Sequence, residues 1–432
     1  MSEWKEYKLG ELCTITSSKR IFLSEYVPFG VPFYRSKEII EKSKGNDIST
    51  ELFITNEKFC DIKNKFGIPL EDDILLTSVG TLGVSYQVRK KDHFYFKDGN
   101  LTWFKDFSKI INPRFLLYWL RSEYGKEAFN RITIGSTQAA LTIQGLKGID
   151  LTIPSLPTQT AIAEILSSLD DKIELNNQIN KDLEALAQAL FKQWFIDFDF
   201  PNENGGPYRS SGGEMVDSEL GEIPKGWKTD RLGDHLYVKG RIGWKGLKKS
   251  DYLTYNTGYS IINGSDFSNE QIDWRKCGWI SMERYEESPE IMLKEDDILI
   301  TKDGTIGKIA FVNKLYSSTS VASGIFVVRV SSESLRTYFC WSFFKSPYFQ
   351  ELVKSRIDGS VIPHLYQRDF VEMFIPLPPV ELLDKFENQS KLIFQNIFQN
   401  KEEAKDLEKL RDTLLPKLIS GELKVTNNSI EV

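Results

Sequence analysis

The chain says nearly everything twice. Glu71-Asp72-Asp73-Ile74-Leu75-Leu76-Thr77-Ser78-Val79-Gly80-Thr81-Leu82-Gly83 returns about 224 positions later as Glu295-Asp296-Asp297-Ile298-Leu299-Ile300-Thr301-Lys302-Asp303-Gly304-Thr305-Ile306-Gly307. Trp4-Lys5 with Leu9-Gly10-Glu11 returns as Trp227-Lys228 with Leu232-Gly233-Asp234. Gly135-Ser136 returns as Gly359-Ser360, Ile153-Pro154 as Ile375-Pro376, and Lys181-Asp182-Leu183-Glu184 as Lys405-Asp406-Leu407-Glu408. A solenoid unit spans roughly 20–50 residues, so a period this long marks tandem duplication of a whole domain plus a helix.

Each copy opens with short β-branched and aromatic runs broken by Gly and Pro, such as Ile74–Thr77, Ile298–Thr301 and Gly324–Val330. Helical stretches interrupt them at Pro113–Asn130 and Ser334–Lys354, the latter with a break expected near Pro347. The fold class is therefore α+β, with two tandem mixed α/β modules. Prolines at 154 and 157, and at 376, 378 and 379, close each module and open a long helix.

The first helix keeps a 3–4 stripe through Ile162, Leu166, Leu169, Ile173, Asn176, Asn180, Leu183, Ala187, Leu190 and Trp194. The second keeps one through Phe386, Ser390, Ile393, Ile397, Asn400, Ala404, Leu407, Arg411 and Leu414, with Pro416 expected to end or kink it. Heptads sustained this long predict a coiled coil. Asn176 and Asn400 share a repeat position on the stripe, where a buried Asn trades stability for register. The expected divisions are a first module 1–157, a helix 158–196, a linker 197–226, a second module 227–379, a helix 380–423 and a frayed tail 424–432. The Pro201–Pro207 run and Ser210-Ser211-Gly212-Gly213 are expected to hold no regular element.

Composition narrows the class. At 41% hydrophobic and 27% charged, the chain of 432 residues is ordinary globular material for two or three domains. No long uninterrupted apolar run offers a membrane span, and the N-terminus lacks the basic-then-apolar layout of a secretion signal, so a cytoplasmic protein is expected. Cys13, Cys60, Cys277 and Cys340 form no CxxC pair and His93, His235 and His364 have no metal-helix spacing, so reduced thiols and no metal are expected. The net charge of −6 is a poor signature for a nucleic-acid binder. Residues 1–155, however, carry 22 basic and 19 acidic side chains, while residues 156–204 carry 3 and 9, so the first helical segment alone holds a deficit of that size.

No catalytic constellation is present. The single Pro-Pro, Pro378-Pro379, follows Leu377 rather than opening a methyltransferase-type Asp/Asn-Pro-Pro-aromatic loop. Gly304-Thr305-Ile306-Gly307-Lys308 lacks phosphate-loop spacing and reads as a hairpin turn. Asp72-Asp73 and Asp296-Asp297 precede apolar strands, where adjacent acids point to opposite sides and serve turns or edges.

Polar residues differ between the copies at matched places. Arg35-Ser36-Lys37 stands against Asn263-Gly264-Ser265, and Ser78-Val79 against Lys302-Asp303 inside a retained turn flanked by Thr77 and Thr81 in one copy and Thr305 in the other. Ser136-Thr137-Gln138 stands against Ser360-Val361-Ile362, followed by His364, Tyr366, Gln367 and Arg368. One scaffold with different polar tips is what two modules reading different base sequences require, because these side chains meet base edges with distinct donor and acceptor patterns. Lys19, Arg20, the run Arg89-Lys90-Lys91, and Lys245, Lys248 and Lys249 are candidate phosphate contacts.

At this level of detail the chain resembles the specificity subunits of type I restriction–modification systems over nearly its whole length. The residues that carry the likeness are the twofold module-plus-helix layout, the Trp4-to-Glu11 opening repeated at Trp227 to Asp234, Trp194-Phe195-Ile196-Asp197-Phe198, and Gly221-Glu222-Ile223-Pro224-Lys225-Gly226-Trp227. The resemblance implies a non-catalytic subunit whose two target-recognition domains each read one half of a split, asymmetric double-stranded DNA site. It further implies that the helices pair antiparallel as a spacer and dock two methyltransferase subunits, that restriction (translocase–nuclease) subunits join, and that S-adenosylmethionine and ATP belong to those partners, with no cofactor here. A helix of roughly 35 residues is ~50 Å long, or about fifteen base pairs of DNA. The alternatives are a stand-alone DNA-binding regulator without enzyme partners and an enzyme using the duplicated acids.

Overall fold

The computed structural model describes residues 4–46, 48–135, 139–268, 270–357, 364–426 and 429–431. The chain divides into two compact units, residues 1–177 with 402–432, and residues 178–401.

In the first unit, β1 (Thr14–Thr16), β2 (Ile74–Thr77), β3 (Ser85–Gln87) and β4 (Leu101–Lys105) form an antiparallel sheet in the order β1-β4-β2-β3. In the second, β5 (Leu236–Gly240), β6 (Ile298–Thr301), β7 (Ile309–Phe311) and β8 (Ile325–Val330) form its counterpart in the order β5-β8-β6-β7. Each module adds a smaller sheet with one parallel pair. Val31–Tyr34 runs antiparallel to Phe53–Ile54 and parallel to Tyr95–Phe96. Tyr259–Ile262 runs antiparallel to Gly278–Trp279 and parallel to Ser318–Val321. A two-stranded ribbon then ties the start of each module to its end, Lys5–Lys8 with Asp150–Ile153 and Lys228–Arg231 with Phe374–Leu377.

The helices packed on these sheets break where the sequence inserts a cap. In α1 (Pro113–Arg121) the Asn112 side chain accepts the Arg114 and Phe115 amides, and proline sits in the first turn, where its missing N–H costs nothing. Ser122 is extended and its hydroxyl accepts the Gly125 amide, so the expected single stretch becomes α1 and α2 (Glu123–Ile132). In the second module α3 (Thr337–Lys345) and α4 (Pro347–Ile357) part just before Pro347, as expected. Phe104, Phe115, Leu116, Leu120, Leu166 and Leu418 are buried in the first unit's core, and Phe191, Phe195, Phe339, Phe344 and Phe386 in the second's.

The first long helix spans Leu156–Phe191 and continues as a π-type turn over Lys192–Ile196; the second spans Val380–Ser420. The two pair in both units. In the first, Arg411 Nη1 donates to Asp170 Oδ1 (2.7 Å) and Asn176 Nδ2 to Glu403 Oε2 (2.8 Å). In the second, Asn400 Nδ2 donates to Asn180 Oδ1 (3.0 Å), while the Phe386 ring meets Phe191 at 6.0 Å and Trp194 at 5.9 Å. Numbers rise on one helix as they fall on the other, so the pair is antiparallel.

Three expectations are corrected. Pro416 does not end the second helix, which runs on to Ser420; proline at this point frees only the Asp412 carbonyl in the last turn, and Leu418 and Ile419 are held in the core beyond it. The stretch expected as a linker contains a hairpin, Met215–Ser218 with Gly221–Pro224, and Phe200 stacks on both Tyr208 (4.6 Å) and Trp227 (5.5 Å) ahead of it. The expected frayed tail pairs Lys424–Thr426 with Ser429–Glu431. Among the described residues no helix is long and apolar enough to cross a membrane.

Candidate nucleic-acid interface

The retained turn is built identically in both copies. Thr77 N–H donates to Val84 O (2.9 Å) and Gly83 N–H to Thr77 O (2.9 Å); Thr301 N–H donates to Lys308 O (2.9 Å) and Gly307 N–H to Thr301 O (2.9 Å). The threonine hydroxyls accept the Val84 and Lys308 amides, each at 3.0 Å. Gly80 and Gly83 (φ +79° each), like Gly304 and Gly307 (φ +70° and +81°), occupy left-handed conformations that a side chain resists, which is why the Gly-Thr-x-Gly skeleton persists. The two threonines expected at this place divide accordingly. Thr77, fully buried, fastens the turn and does not reach out of it, a correction to its expected DNA contact, while Thr81 is exposed.

A second segment docks on each turn by the same backbone bonds. Ser78 N–H donates to Asn100 O (2.9 Å) and Ser78 O accepts the Leu141 amide (2.8 Å); Lys302 N–H donates to Gly324 O (2.8 Å) and Lys302 O accepts the Leu365 amide (3.2 Å). The turn and the segment after the module's last helices, far apart in sequence, thus form one tip per module. In the second, His364 Nδ1 is hydrogen-bonded to Asp303 Oδ1, the His364 and Tyr366 rings lie 4.5 Å apart, and the Arg368 guanidinium sits 4.9 Å above Tyr366. Lys302 Nζ rests 5.0 Å over the Phe326 ring, and Asp303, Thr305, Tyr366, Gln367 and Arg368 are exposed. In the first tip Ser78 is buried, a second correction; its main chain makes the docking bonds, and Val79 bridges Ala140. Ser136, Thr137, Gln138 and Ser360 lie outside the described residues.

The matched strand ends are only partly free. Arg35 and Asn263 both stand at cap positions, their amides donating to Glu38 Oε2 (2.8 Å) and Asp266 Oδ2 (2.7 Å). The Arg35 guanidinium also closes on Glu38 (2.7 Å), which holds that carboxyl below its usual range against the opposing effect of burial. Asn263 Oδ1 accepts the Tyr252 hydroxyl (2.9 Å). Both main chains therefore serve the cap and both side chains have partners within the module, while Lys37 and Ser265 are exposed and Ser36 is half-buried. Of the expected phosphate contacts, Lys19, Arg20, Lys248 and Lys249 are exposed, with Arg20 bonded to Asp98 (3.0 Å), and Lys245 Nζ turns inward onto Glu287 O.

The duplicated acids hold turns. Asp73 accepts the Leu70 amide (2.9 Å) and the Trp103 indole N–H (2.8 Å), and burial pushes its carboxyl up. Asp297 accepts the Lys294 amide (2.7 Å) and both arms of Arg329 (2.6 and 2.7 Å). Their neighbours Asp72 and Asp296 take left-handed backbone, φ +72° and +71°. Of the stripe asparagines, Asn400 donates to Asn180 and Asn176 to Glu403.

Comparison with known proteins matches a family model, type I restriction modification DNA specificity domain, over residues 1–185 and again over 224–410. The type I restriction enzyme MjaIX specificity subunit of Methanocaldococcus jannaschii is 30% identical over 73% of this chain and 70% of its own length. The HindI specificity subunit of Haemophilus influenzae is 24% identical over 98% of this chain and 100% of its own. The S subunit of a type I restriction–modification system from M. genitalium shares the fold, with TM-score 0.60 and 17% identity over 96% of each chain.

Proposed function

Because this chain belongs to the type I restriction–modification DNA specificity family, we propose that its two tips divide the reading of one split DNA site, one half each. The chain is a DNA specificity subunit of a type I restriction–modification complex and is itself non-catalytic. The observation that carries the finer reading is the pair of tips that share the same turn and docking main-chain bonds but carry unlike side chains. Ser78 and Lys302 make the same two main-chain bonds, and on that frame the second tip carries Asp303, His364, Tyr366 and Arg368. A fixed frame with exchanged polar ends changes which base edges are met without changing how the module folds.

The recognition modules in this proposal are residues 1–157 and 227–379, joined by 197–226, and the helices 158–196 and 380–423 set the number of unread base pairs between the half-sites. The helices also dock two methyltransferase subunits, one per unit. In support, Leu186 (54% exposed) in the second unit and Leu410 (46% exposed) in the first occupy the same repeat position, offering one equivalent apolar contact each. Restriction–translocase subunits complete the assembly in the cytoplasm, and S-adenosylmethionine and ATP are theirs to bind.

The test is methylation-aware sequencing of DNA from cells carrying the chain with its partners, before and after residues 227–379 are exchanged for another module. One half of a bipartite methylated site is expected to change while the other half and the gap stay. A change in both halves, or in neither, overturns the division of labour.

A further inference from the structure

Behind the first tip, still within the first unit, is a cavity of about 180 Å³ whose walls include Gly83, Val84, Ser85, Arg121 and Lys126. We propose that it is a binding site for a phosphoryl oxyanion.

Three observations lead there. First, the walls carry two cations whose ion pairs are loose. Arg121 donates to Ser85 O (3.1 Å) and stands 3.7 Å from Asp170, but Asp170 is held more closely by Arg411 and by the Tyr118 hydroxyl, each at 2.7 Å. Arg411 is bonded to Asp412 (2.8 Å) as well as to Asp170, so Arg121, with only its 3.7 Å approach to Asp170, is the less closely paired guanidinium, and the burial that disfavours its charge is relieved when an anion enters. Lys126 pairs with Glu123 (2.7 Å) across one exposed helical turn, an arrangement weak enough to be given up to a ligand. Second, Ser85, one of the residues lining the cavity, is 2% exposed, and its hydroxyl has no hydrogen-bond partner among the described residues. A buried donor left so is costly unless something accepts from it.

Third, the other copy shows that the scaffold does not need these groups. At the matched positions Ser85 is Ile309, Lys126 is Gln350 and Arg121 is Lys345. Gln350 Nε2 is spent on Phe344 O (2.8 Å), and Lys345 is enclosed by Glu270 and by Glu184 at 3.6 Å. The same corner is closed by internal bonds in one module and only loosely paired in the other, so the Ser85, Arg121 and Lys126 side chains are an addition to the fold in the first. Gly83, Val84 and Ser85 directly follow the turn that carries Thr81, so a phosphoryl group held here lies beside the first tip. A DNA backbone phosphate fits that placement and rests on the reading proposed above; a free phosphate monoester offers the same chemistry.

The experiment uses the full chain and inorganic phosphate as the probe. Equilibrium dialysis against radiolabelled phosphate, at constant ionic strength, is expected to show saturable binding at one site that S85I and K126Q each weaken at least tenfold. K126Q alters an exposed side chain and S85I installs the second module's own residue, so both are expected to keep the fold, which circular dichroism checks. In the assembled complex, log affinity for DNA against log salt should lose about one unit of slope per phosphate contact removed. Loss of both phosphate binding and slope identifies a DNA phosphate, and loss of phosphate binding with an unchanged slope identifies a free anion. Absence of saturable phosphate binding, or binding indifferent to both substitutions, overturns the site, and does so whether or not the two tips divide the DNA site.

Discussion

Asn180 is the most informative residue in the helix pair, because its two amide ends differ. It is 4% exposed; its Oδ1 accepts from Asn400 at 3.0 Å, and its Nδ2 has no partner among the described residues. Replacing Asn400 with leucine strips the one bond that Asn180 accepts and leaves a buried amide unsatisfied at both ends, at a cost of about 1–3 kcal/mol. Replacing Asn180 with leucine loses the same bond but also removes the unsatisfied donor, so gain and loss nearly cancel. The double replacement turns the contact apolar and should be no worse than N180L alone, with register less strictly specified. Hydrogen-exchange mass spectrometry of the helix amides within residues 178–191 and 390–401 reads the opening free energy locally, which avoids treating the whole chain as one transition. N400L is expected to speed exchange there about 5–150-fold, and N180L and the double variant by less than about fivefold. Equal acceleration by the two single variants, or a double variant worse than N400L, would refute the reasoning, since either result means that the amides act by bulk and not by pairing.

Other perturbations give equally direct readings. Burial raises the Glu387 carboxyl to about 7, the amides of Tyr338 and Phe339 offsetting only part of this. A folded-state value above the unfolded one means that the proton favours the fold, so stability falls as pH rises from about 4.5 through 7 and the penalty is full above that. E387Q should therefore melt higher than the parent at pH 8, by at most about 3 kcal/mol, with the gain shrinking toward pH 5; a gain that does not vary with pH contradicts this. D297A leaves Arg329 without its carboxylate and should cost about 3 kcal/mol, against roughly 1–3 for D73A, whose lost partners are neutral N–H groups; thermal melting ranks the two. D303N should alter base preference only in the second half-site, by about 5–150-fold at the affected base pair in a binding selection, with the first half-site and the gap untouched.

How much of this could be read from the chain alone follows from what repetition reveals. A duplicated sequence exposes its scaffold, because residues that repeat are those the fold cannot exchange. Gly80, Gly83, Gly304 and Gly307 repeat since only left-handed backbone closes the turn, and Asp73 and Asp297 repeat since each caps the start of its central strand. Fold class and the paired helices were legible on this basis. The same logic misleads where symmetry acts in space and not along the chain. Asn176 and Asn400 are repeat equivalents, yet repetition does not name their partners: Asn400 bonds Asn180, and Asn176 bonds Glu403.

Polar residues at strand ends pose the harder problem, because one composition serves two purposes. Arg35 and Asn263 are expected to reach outward because they differ between copies; at both, the main-chain amide is held by an acid three residues on, so the position tolerates unlike side chains. The cue was present, in Glu38 and Asp266 at the same spacing. The linker hairpin likewise had a cue, in Val216 and Ile223 flanking a short polar turn at Ser218–Gly221, outweighed by the glycines before it. What differs between copies is therefore not yet what reads DNA. Difference must coincide with exposure and with a frame that positions it, and among the matched places the clearest case is Lys302-Asp303 docked against His364–Arg368. Exchanging that cluster alone, inside an otherwise unchanged module, is the narrowest change from which a new half-site should follow.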